Sequence, residues 1–366
     1  MPQRVTPAQA AQLLASPLKY ILLDIDGVIW SGSHVIEGVP ATLRYLRSQG
    51  KEVRFLSNNA SLSRAQLQQS FAAKGIEGVQ ARECYNSAYA AALRLQQLLG
   101  TAAAPGEEPL VHGNVFVIGE QGLHDELQRV LAPGFITYGV ELHDAEKAGG
   151  YDAELLGDAW RVPCLPAPLK RLVVCDGNTC RATQAGTDNE EKISLTDLNP
   201  VAVVAGLDKH FNGLKLAYAS LTLQGPPKSS QKEGEPGKPT LFIATNEDPQ
   251  LAVGNQGALL PGAGAMVSAL RTSIGRAPDA VCGKPHVDLA KILFTAEQIQ
   301  SPQTECIMIG DRLTTDVAFG NGAGCKTMLV LSGIEGLADV ERAEAEGNTL
   351  MIPQYVADSL ACFLPQ

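Results

Sequence analysis

The sequence predicts an α/β protein with a doubly wound parallel sheet and a second, inserted α/β domain. Three observations lead to this prediction. Apolar runs typical of buried parallel strands alternate with helical segments along much of the 366-residue chain. Apolar strands that end in an acidic residue occur near both ends of the chain. Between them lies a separate set of strands and helices, so the two ends should build one domain and the middle another.

The first domain begins with the apolar run Tyr20–Leu23, which predicts a buried strand. A second apolar run at residues 53–56 predicts the next strand. The helix that follows should begin at Ser63, because Ser63 and Gln66 have the spacing of a capping box. Residues 88–93 predict another helix, so this part of the chain alternates strand and helix as a parallel sheet requires.

The middle of the chain repeats strand, turn and helix three times at irregular spacing. The predicted strands are residues 115–119, 202–206 and 241–245. Two stretches do not fit this pattern: residues 140–197 are long and weakly patterned, and residues 225–239 have the composition of a linker. We therefore predict one inserted domain with two extra segments, and not an array of repeats.

The strand pattern of the first domain resumes at about residue 278. Residues 306–311 predict a buried strand that ends in an acid, and residues 327–331 predict one more. The predicted organisation is a first half of the core, an inserted α/β domain and a second half of the core, at residues 1–107, 108–277 and 278–366.

The composition is that of a globular, acidic protein, with 45% hydrophobic residues, 19% charged residues and a net charge of −10. An acidic surface repels nucleic acids and anionic membranes, so we exclude both as general partners. The start of the chain lacks the apolar region of a signal peptide, and no apolar run reaches membrane-spanning length. We therefore expect a cytoplasmic protein.

The eight cysteines are scattered, mostly within apolar runs. This usage predicts reduced thiols in an intracellular protein. Only Cys175 and Cys180 lie close together in the sequence. They could form half of a zinc site, but the sequence shows no second pair that would complete it.

Two carboxylates, Asp24 and Asp26, follow the first predicted strand, and Gly27 ends it. Open parallel sheets build their sites at the carboxyl ends of strands. Two like charges this close are costly unless a cation or a shared proton relieves them. A turn or a helix cap could also explain the pair, but its position favours a metal-assisted reaction on a charged group.

Three further segments place polar residues at strand ends or helix starts: Ser57-Asn58-Asn59, Gly283-Lys284-Pro285 and the run from Gly310 through Asp311 and Arg312 to Asp316. Alone, the first two could be an N-cap and an exposed loop. Together, acids at two strand ends can hold a hard cation such as Mg²⁺. A hydroxyl at a helix start suits phosphate, and a lysine adds a positive charge. The combination predicts a phosphoryl-transfer site.

In these four motifs the chain resembles the haloacid dehalogenase superfamily of phosphatases, and it carries them in the same order. Within the superfamily it resembles the phosphoglycolate phosphatase and p-nitrophenylphosphatase family, whose large C2-type α/β cap lies between the second and third motifs. The resemblance implies a Rossmann-like core with this inserted cap. It also implies the activity of a phosphoric monoester hydrolase.

The resemblance further implies roles for individual residues. Asp24 would be the nucleophile that forms an aspartyl-phosphate. Asp26 would protonate the leaving oxygen and then activate water. The expected cofactor is Mg²⁺, which would be held by Asp24, by the carbonyl oxygen of Asp26 and by Asp311.

The phosphoryl group would be bound by Ser57 and Lys284, with Asn58 and Asn59 beside it. Asp316 would lie behind these residues, as a partner of the metal-bound waters or of Lys284. All of these roles come from the resemblance and from the matching positions in this sequence.

In the resembled family a loop of the cap enters the site, and it carries Leu251 here. Members that resemble pyridoxal phosphatase have a histidine at this position, whereas phosphoglycolate phosphatase-like members tend to have leucine. The expected substrate is therefore a small phosphorylated metabolite such as 2-phosphoglycolate, with p-nitrophenyl phosphate hydrolysed in vitro. The alternatives are pyridoxal phosphate or a phosphoprotein as substrate, or a non-catalytic binding protein. A homodimer through the cap is a further expectation.

Overall fold

The computed structural model describes residues 2–100, 113–131, 135–144, 173–176, 179–182, 200–225, 239–253 and 258–365. The α-helices of this part are α1 (Pro7–Ala15), α2 (Val39–Ser48), α3 (Arg64–Ala73), α4 (Ser87–Leu99), α5 (Gln121–Leu131), α6 (Gly213–Gln224), α7 (Ala263–Ile274), α8 (Asp288–Glu297), α9 (Pro302–Glu305), α10 (Ala318–Gly322) and α11 (Leu337–Ala345). The strands are β1 (Gln3–Arg4), β2 (Tyr20–Leu23), β3 (Trp30–Ser31), β4 (His34–Val35), β5 (Glu52–Ser57), β6 (Cys84–Asn86), β7 (Gly113–Ile118), β8 (Phe135–Tyr138), β9 (Val173–Asp176), β10 (Thr179–Ala182), β11 (Pro200–Ala205), β12 (Leu241–Ala244), β13 (Gln250–Val253), β14 (Ala258–Pro261), β15 (Ala280–Val281), β16 (Cys306–Gly310), β17 (Lys326–Val330) and β18 (Tyr355–Ala357).

A seven-stranded parallel sheet forms one part of the molecule, in the order β1-β18-β17-β16-β2-β5-β6. Its strands come from both ends of the chain, and β2 lies between β16 and β5. Leu23 at the end of β2 pairs with Ile309 on one side and Phe55 on the other, so the three strands end side by side. This register brings the segments that follow them to one edge of the sheet, where such sheets form their sites.

A five-stranded parallel sheet, in the order β15-β12-β11-β7-β8, is built from the middle of the chain. The two sheets confirm the predicted fold class. The domain boundaries after residues 107 and 277 stay predictions. Strand β15, just beyond the second boundary, pairs with β12, where Ala280 is opposite Ile243.

One continuous cluster of buried apolar side chains joins the two sheets. It includes Leu22 and Leu56 from the seven-stranded sheet and Val117 and Val204 from the five-stranded sheet. The fully buried apolar residues of α4, most of which are alanines, belong to the same cluster. Because burial of apolar surface is the main favourable contribution to folding, this cluster holds the two sheets together next to the edge where the motifs meet.

The predicted elements occur with small differences in their bounds. The strand Tyr20–Leu23 has the predicted limits. Ser63 caps α3, since its Oγ accepts a hydrogen bond from the backbone N–H of Gln66 at 3.3 Å. The helix predicted at residues 88–93 is longer than expected and ends at Gly100, which has a left-handed conformation.

Several predictions fall partly or wholly outside the described residues. Most of residues 140–197 and nearly all of residues 225–239 lie there. Cys175 and Cys180 are opposite each other in the β9–β10 hairpin, but their side chains are outside the described part, so the zinc hypothesis is untested. The cysteine side chains that are described are free thiols: Cys84, Cys282, Cys306, Cys325 and Cys362.

In the described part of the chain, no helix combines the length and the apolar character needed to cross a membrane. The cytoplasmic location and the homodimer through the inserted domain stay predictions.

Candidate active site

Side chains from both sheet domains line one cavity of about 490 Å³ at the carboxyl edge of the seven-stranded sheet. Asp24 follows β2, Ser57 ends β5 and Asp311 follows β16, so the strand register places all three at this edge. Lys284 reaches the cavity from the segment between β15 and α8. The structure therefore brings the four motifs together, although they are widely separated in the sequence.

The ammonium group of Lys284 lies between two carboxylates. Its Nζ donates to Oδ1 of Asp24 at 2.6 Å and to Oδ1 of Asp316 at 2.7 Å. A third, longer hydrogen bond of 3.3 Å goes to the carbonyl oxygen of Leu56. Burial alone would lower the pKa of Lys284, but Asp24 and Asp316 together raise it above its ordinary value. The lysine therefore stays positively charged although it is buried.

Asp24, Asp311 and Asp316 form a carboxylate cluster, in which one oxygen of each residue lies within 4.8 Å of the others. Burial, reinforced by the charge of Asp316, raises the pKa of Asp24 well above its usual range and that of Asp311 to about 7. One ammonium group cannot neutralise three crowded carboxylates, so a second positive charge would suit the cluster. Carboxylate oxygens are ligands that Mg²⁺ prefers, and this set of donors fits that ion.

The backbone turns sharply at Gly27, which has a φ of 82° in the left-handed region. A Cβ atom at this position would lie only 2.3 Å from Oδ2 of Asp311. Glycine is therefore needed both for the turn and for the close approach of the two motifs. The segment after β17 also contacts this turn. Oγ of Ser332 donates a hydrogen bond to the carbonyl oxygen of Gly27 at 2.8 Å.

Asp26 lines the same cavity and is held by a separate hydrogen bond. Its Oδ1 accepts from Nε1 of Trp30 at 2.9 Å. The Trp30 ring is buried and packs edge to face against Phe71, with ring centroids 4.8 Å apart. Burial raises the pKa of Asp26, and the hydrogen bond from Trp30 offsets part of that rise. A carboxyl group with a raised pKa is suited to proton donation.

The three polar residues at the end of β5, Ser57, Asn58 and Asn59, all line the cavity but have different contacts. Oγ of Ser57 accepts from the backbone N–H of Asn59 at 3.1 Å, and Oδ1 of Asn59 accepts from the N–H of Ser61 at 2.8 Å. The amide of Asn58 binds the backbone of Lys284 on both sides, donating to its carbonyl oxygen at 2.9 Å and accepting from its N–H at 2.8 Å. Asn58 therefore fixes the backbone of Lys284.

Asp316 lies in a single π-helical turn, Leu313–Val317, which follows the end of β16. Its Oδ2 accepts from the backbone N–H groups of Asp311 at 3.2 Å and Arg312 at 3.1 Å, while its Oδ1 accepts from Lys284. Wide turns of this kind are frequent at functional sites. From its sequence, Asp316 was expected to contact either metal-bound waters or Lys284, and the structure shows the contact with Lys284.

Among the described residues, three charged side chains line the cavity although sequence reasoning gave them no role: Lys209, Asp248 and Arg312. Asp248 accepts two hydrogen bonds from Nδ2 of Asn58, at 3.0 and 3.1 Å, and burial raises its pKa. Local spacing could not reveal this contact, since the two residues are 190 positions apart. Leu251 lines the cavity from the β13–β14 hairpin, with 40% of its surface exposed.

Comparison with known proteins finds similarity over most of the chain. A family model described as haloacid dehalogenase-like hydrolase matches residues 21–131, and a HAD-hydrolase-like model matches residues 281–362. The chain is 32% identical to the chloroplastic phosphoglycolate phosphatase 1A of Arabidopsis thaliana, over 97% of this chain and 78% of the plant protein. It is 30% identical to the glycerol-3-phosphate phosphatase of Homo sapiens, over 98% of this chain and 94% of the human protein.

Among solved structures, the chain matches a glycerol phosphate phosphatase of Mycobacterium tuberculosis in complex with magnesium. The TM-score is 0.63 at 24% sequence identity, and the match covers 97% of this chain and 78% of the other. At this level of identity the likeness shows a shared fold.

Proposed function

The chain belongs to the haloacid dehalogenase-like hydrolases and is a phosphoric monoester hydrolase; from this premise we propose that it is a Mg²⁺-dependent phosphatase that acts through an aspartyl-phosphate on a small phosphorylated metabolite. The observation that carries the proposal is the position of Lys284, which lies between Asp24 and Asp316. Fixed charges of this kind suit phosphoryl transfer, in which positioning and neutralisation of charge supply most of the catalysis.

The metal would be held by the carboxylates of Asp24 and Asp311 and by the carbonyl oxygen of Asp26. A bound Mg²⁺ would neutralise the phosphate oxygens together with the crowded carboxylates. Asp316 belongs to the same cluster, but both of its oxygens already accept hydrogen bonds, from Lys284 and from backbone N–H groups. We therefore assign Asp316 the task of orienting Lys284.

The reaction would proceed in two steps. In the first, an oxygen of Asp24 attacks phosphorus, the bond to the leaving oxygen breaks, and Asp26 donates a proton to that oxygen. In the second, Asp26 accepts a proton from water as the water oxygen attacks phosphorus, and the bond to Asp24 breaks to release inorganic phosphate. Lys284 balances the negative charge in both steps, and the hydrogen bond from Trp30 keeps Asp26 in place.

The phosphoryl group would be bound at the start of the segment that follows β5. Ser57 and Asn59 line the cavity there, and the buried Lys284 lines the same cavity. A hydroxyl group, backbone N–H groups and a fixed positive charge together match the oxygens of a phosphate.

Asp24→Asn tests the proposed nucleophile. The change keeps the shape of the side chain but removes the attacking carboxylate, so we expect kcat for p-nitrophenyl phosphate with Mg²⁺ to fall by at least about 1,000-fold. Asp358→Asn is the matched control, because Asp358 is 76% exposed and does not line the cavity. Activity that survives in Asp24→Asn, or that is unaffected when EDTA removes divalent cations, would contradict the proposal.

The substrate is expected to be a small phosphomonoester of the 2-phosphoglycolate type. Two relatives are named for small phosphomonoesters, and Leu251 presents an apolar side chain to the cavity. Comparison of kcat/KM for 2-phosphoglycolate, pyridoxal phosphate and a phosphopeptide tests this choice. We expect the first to be the best substrate. A higher value for either of the others would favour one of the alternative substrates instead.

A further inference from the structure

We infer that Lys209 is a specificity-determining residue that binds a carboxylate on the alcohol part of the substrate, an inference that rests on the proposed function. Lys209 lines the cavity beside Leu207 and Leu251, on the segment that follows β11 of the five-stranded sheet. Of the residues proposed to act on phosphorus, Asp24, Asp26 and Ser57 come from the seven-stranded sheet. Lys284 follows β15, but its ammonium group is held by Asp24 and Asp316 at the edge of the seven-stranded sheet. Lys209 is therefore placed to contact a part of the substrate that they do not bind.

The backbone of Lys209 is fixed by contacts on both sides. Its N–H donates to Oε1 of Glu120 at 2.7 Å. The preceding residue, Asp208, is fully buried and forms an ion pair of 2.5 Å with the equally buried Lys215. Asp208 also accepts a hydrogen bond of 2.8 Å from the backbone N–H of His210. Because breaking a buried ion pair is strongly unfavourable, this segment has little conformational freedom.

The ammonium group of Lys209 is available to a ligand. The residue is exposed, and within the part of the chain that the structure describes its Nζ has no hydrogen bond or ion pair. Lys284, the other lysine of the cavity, is already bound by two carboxylates. Because the backbone of Lys209 is already fixed, only its side chain has to be ordered when it binds an anion.

The charges of the cavity favour a carboxylate over a second phosphate. Among the described residues, four aspartates (Asp24, Asp26, Asp248 and Asp311) and three basic residues (Lys209, Lys284 and Arg312) line the cavity. A second phosphate would bring up to about two more negative charges, of which the single ammonium group of Lys209 would balance only one. A carboxylate brings one charge, which the ammonium group of Lys209 can balance. The inferred substrate class is therefore a short phosphomonoester with one carboxylate.

The test compares kcat/KM for 2-phosphoglycolate, glycerol 3-phosphate and p-nitrophenyl phosphate, since only the first carries a carboxylate. In Lys209→Met we expect kcat/KM for 2-phosphoglycolate to fall about tenfold, in the range of a charge-assisted hydrogen bond. The values of kcat/KM for the other two substrates should change less than about twofold, because neither carries the carboxylate that Lys209 would bind. Lys209→Arg, which keeps the charge, should retain most of the preference for 2-phosphoglycolate.

Lys291→Met is the matched control, because it removes the same charge from a residue that is 70% exposed and does not line the cavity. It should leave all three values unchanged. An equal loss on all three substrates in Lys209→Met, or no loss on 2-phosphoglycolate, would overturn the inference and leave the proposed function standing. A wild-type protein that hydrolyses none of the three would overturn both.

Discussion

The carboxylate of Asp311 lies in an unusually crowded position. A Cβ atom at Gly27 or at Gly333 would come within 2.3 Å of its Oδ2, so only glycine fits at either place. The same oxygen accepts a hydrogen bond of 3.0 Å from the backbone N–H of Ile334. Burial and the charge of Asp316 nevertheless raise the pKa of Asp311 to about 7. The ionised form of this residue is thus costly in the folded protein unless a cation accompanies it.

This pKa gives a pH dependence with a definite sign. The folded-state pKa of Asp311, about 7, is above the unfolded value of about 3.9. Between these pH values the unfolded state has lost a proton that the folded state keeps, so the free energy of unfolding falls as pH rises. We expect urea unfolding of the EDTA-treated protein to show lower stability at pH 7.5 than at pH 5. Mg²⁺ should stabilise it more at pH 7.5.

Asp311→Asn is the comparison that isolates this residue, because other ionisable groups remain in both proteins. The variant should lose part of the fall in stability between pH 5 and pH 7.5 and most of the stabilisation by Mg²⁺. If wild type and variant have parallel pH profiles of unfolding, the carboxylate of Asp311 is not the cause.

At the scale of residues, the sequence predicts those groups that follow strand ends. Asp24 and Asp311 end apolar runs, and parallel strands in register bring such residues to one edge. The sequence does not predict the contact of Asp248 with Asn58 or the hydrogen bond from Trp30 to Asp26. The first depends on packing between segments that are far apart in the chain. The second depends on how a buried ring is oriented, which local spacing does not fix.

At the scale of elements, continuous apolar strands were predictable and strands of two or three residues were not. Strands such as β2 and β16 are continuous apolar runs, which periodicity identifies. Strands β1, β15 and β18 have two or three residues each, too few to show a pattern. They form because a neighbouring strand offers backbone hydrogen bonds, as β17 does for β18.

Helix α5 contacts the segment that follows the second motif at Gly122. A Cβ atom there would lie 2.4 Å from the carbonyl oxygen of Ser61 and 2.4 Å from the carbonyl carbon of Leu62. Nearby, the carboxylate of Glu126 accepts hydrogen bonds from the backbone and the guanidinium of Arg64, at 2.7 and 3.1 Å. One face of this helix therefore fixes the position of the proposed phosphate-binding segment.

Gly122→Ala tests this contact. In a helix interior alanine is ordinarily more stable than glycine by about 1 kcal/mol. Here the added methyl group has no room against backbone atoms, and we expect a net loss of about 1–3 kcal/mol in the free energy of unfolding. KM for p-nitrophenyl phosphate should rise, because the segment after Ser57 must shift. Gln121→Ala, at the exposed neighbouring position, should change neither the free energy of unfolding nor KM. Equal stability of the two variants would contradict the close contact of Gly122 with the backbone of Ser61 and Leu62.

At the scale of the whole molecule, the two ends of the chain are joined by a polar network as well as by sheet pairing. Arg54 in β5 forms two hydrogen bonds of 2.6 Å with the carboxylate of Glu297 at the end of α8. The hydroxyl of Tyr85 donates to the same carboxylate at 3.0 Å. Because Arg54 and Glu297 are 243 residues apart, the sequence alone gave no sign of this pair.

Glu297→Gln tests how much this network stabilises the assembled core. Glu297 is 17% exposed, and the loss of its charge leaves the largely buried guanidinium of Arg54 without its main partner. We expect the free energy of unfolding to fall by about 2–4 kcal/mol. Glu52→Gln is the matched control, because Glu52 contacts the same guanidinium but is 48% exposed. The loss of its charge should lower the free energy of unfolding by less than about 1 kcal/mol.

Neither residue lines the cavity, so kcat for p-nitrophenyl phosphate should be unchanged in both variants. Equal losses of stability, measured by urea unfolding at pH 7, would show that the buried pair does not join the two halves as described.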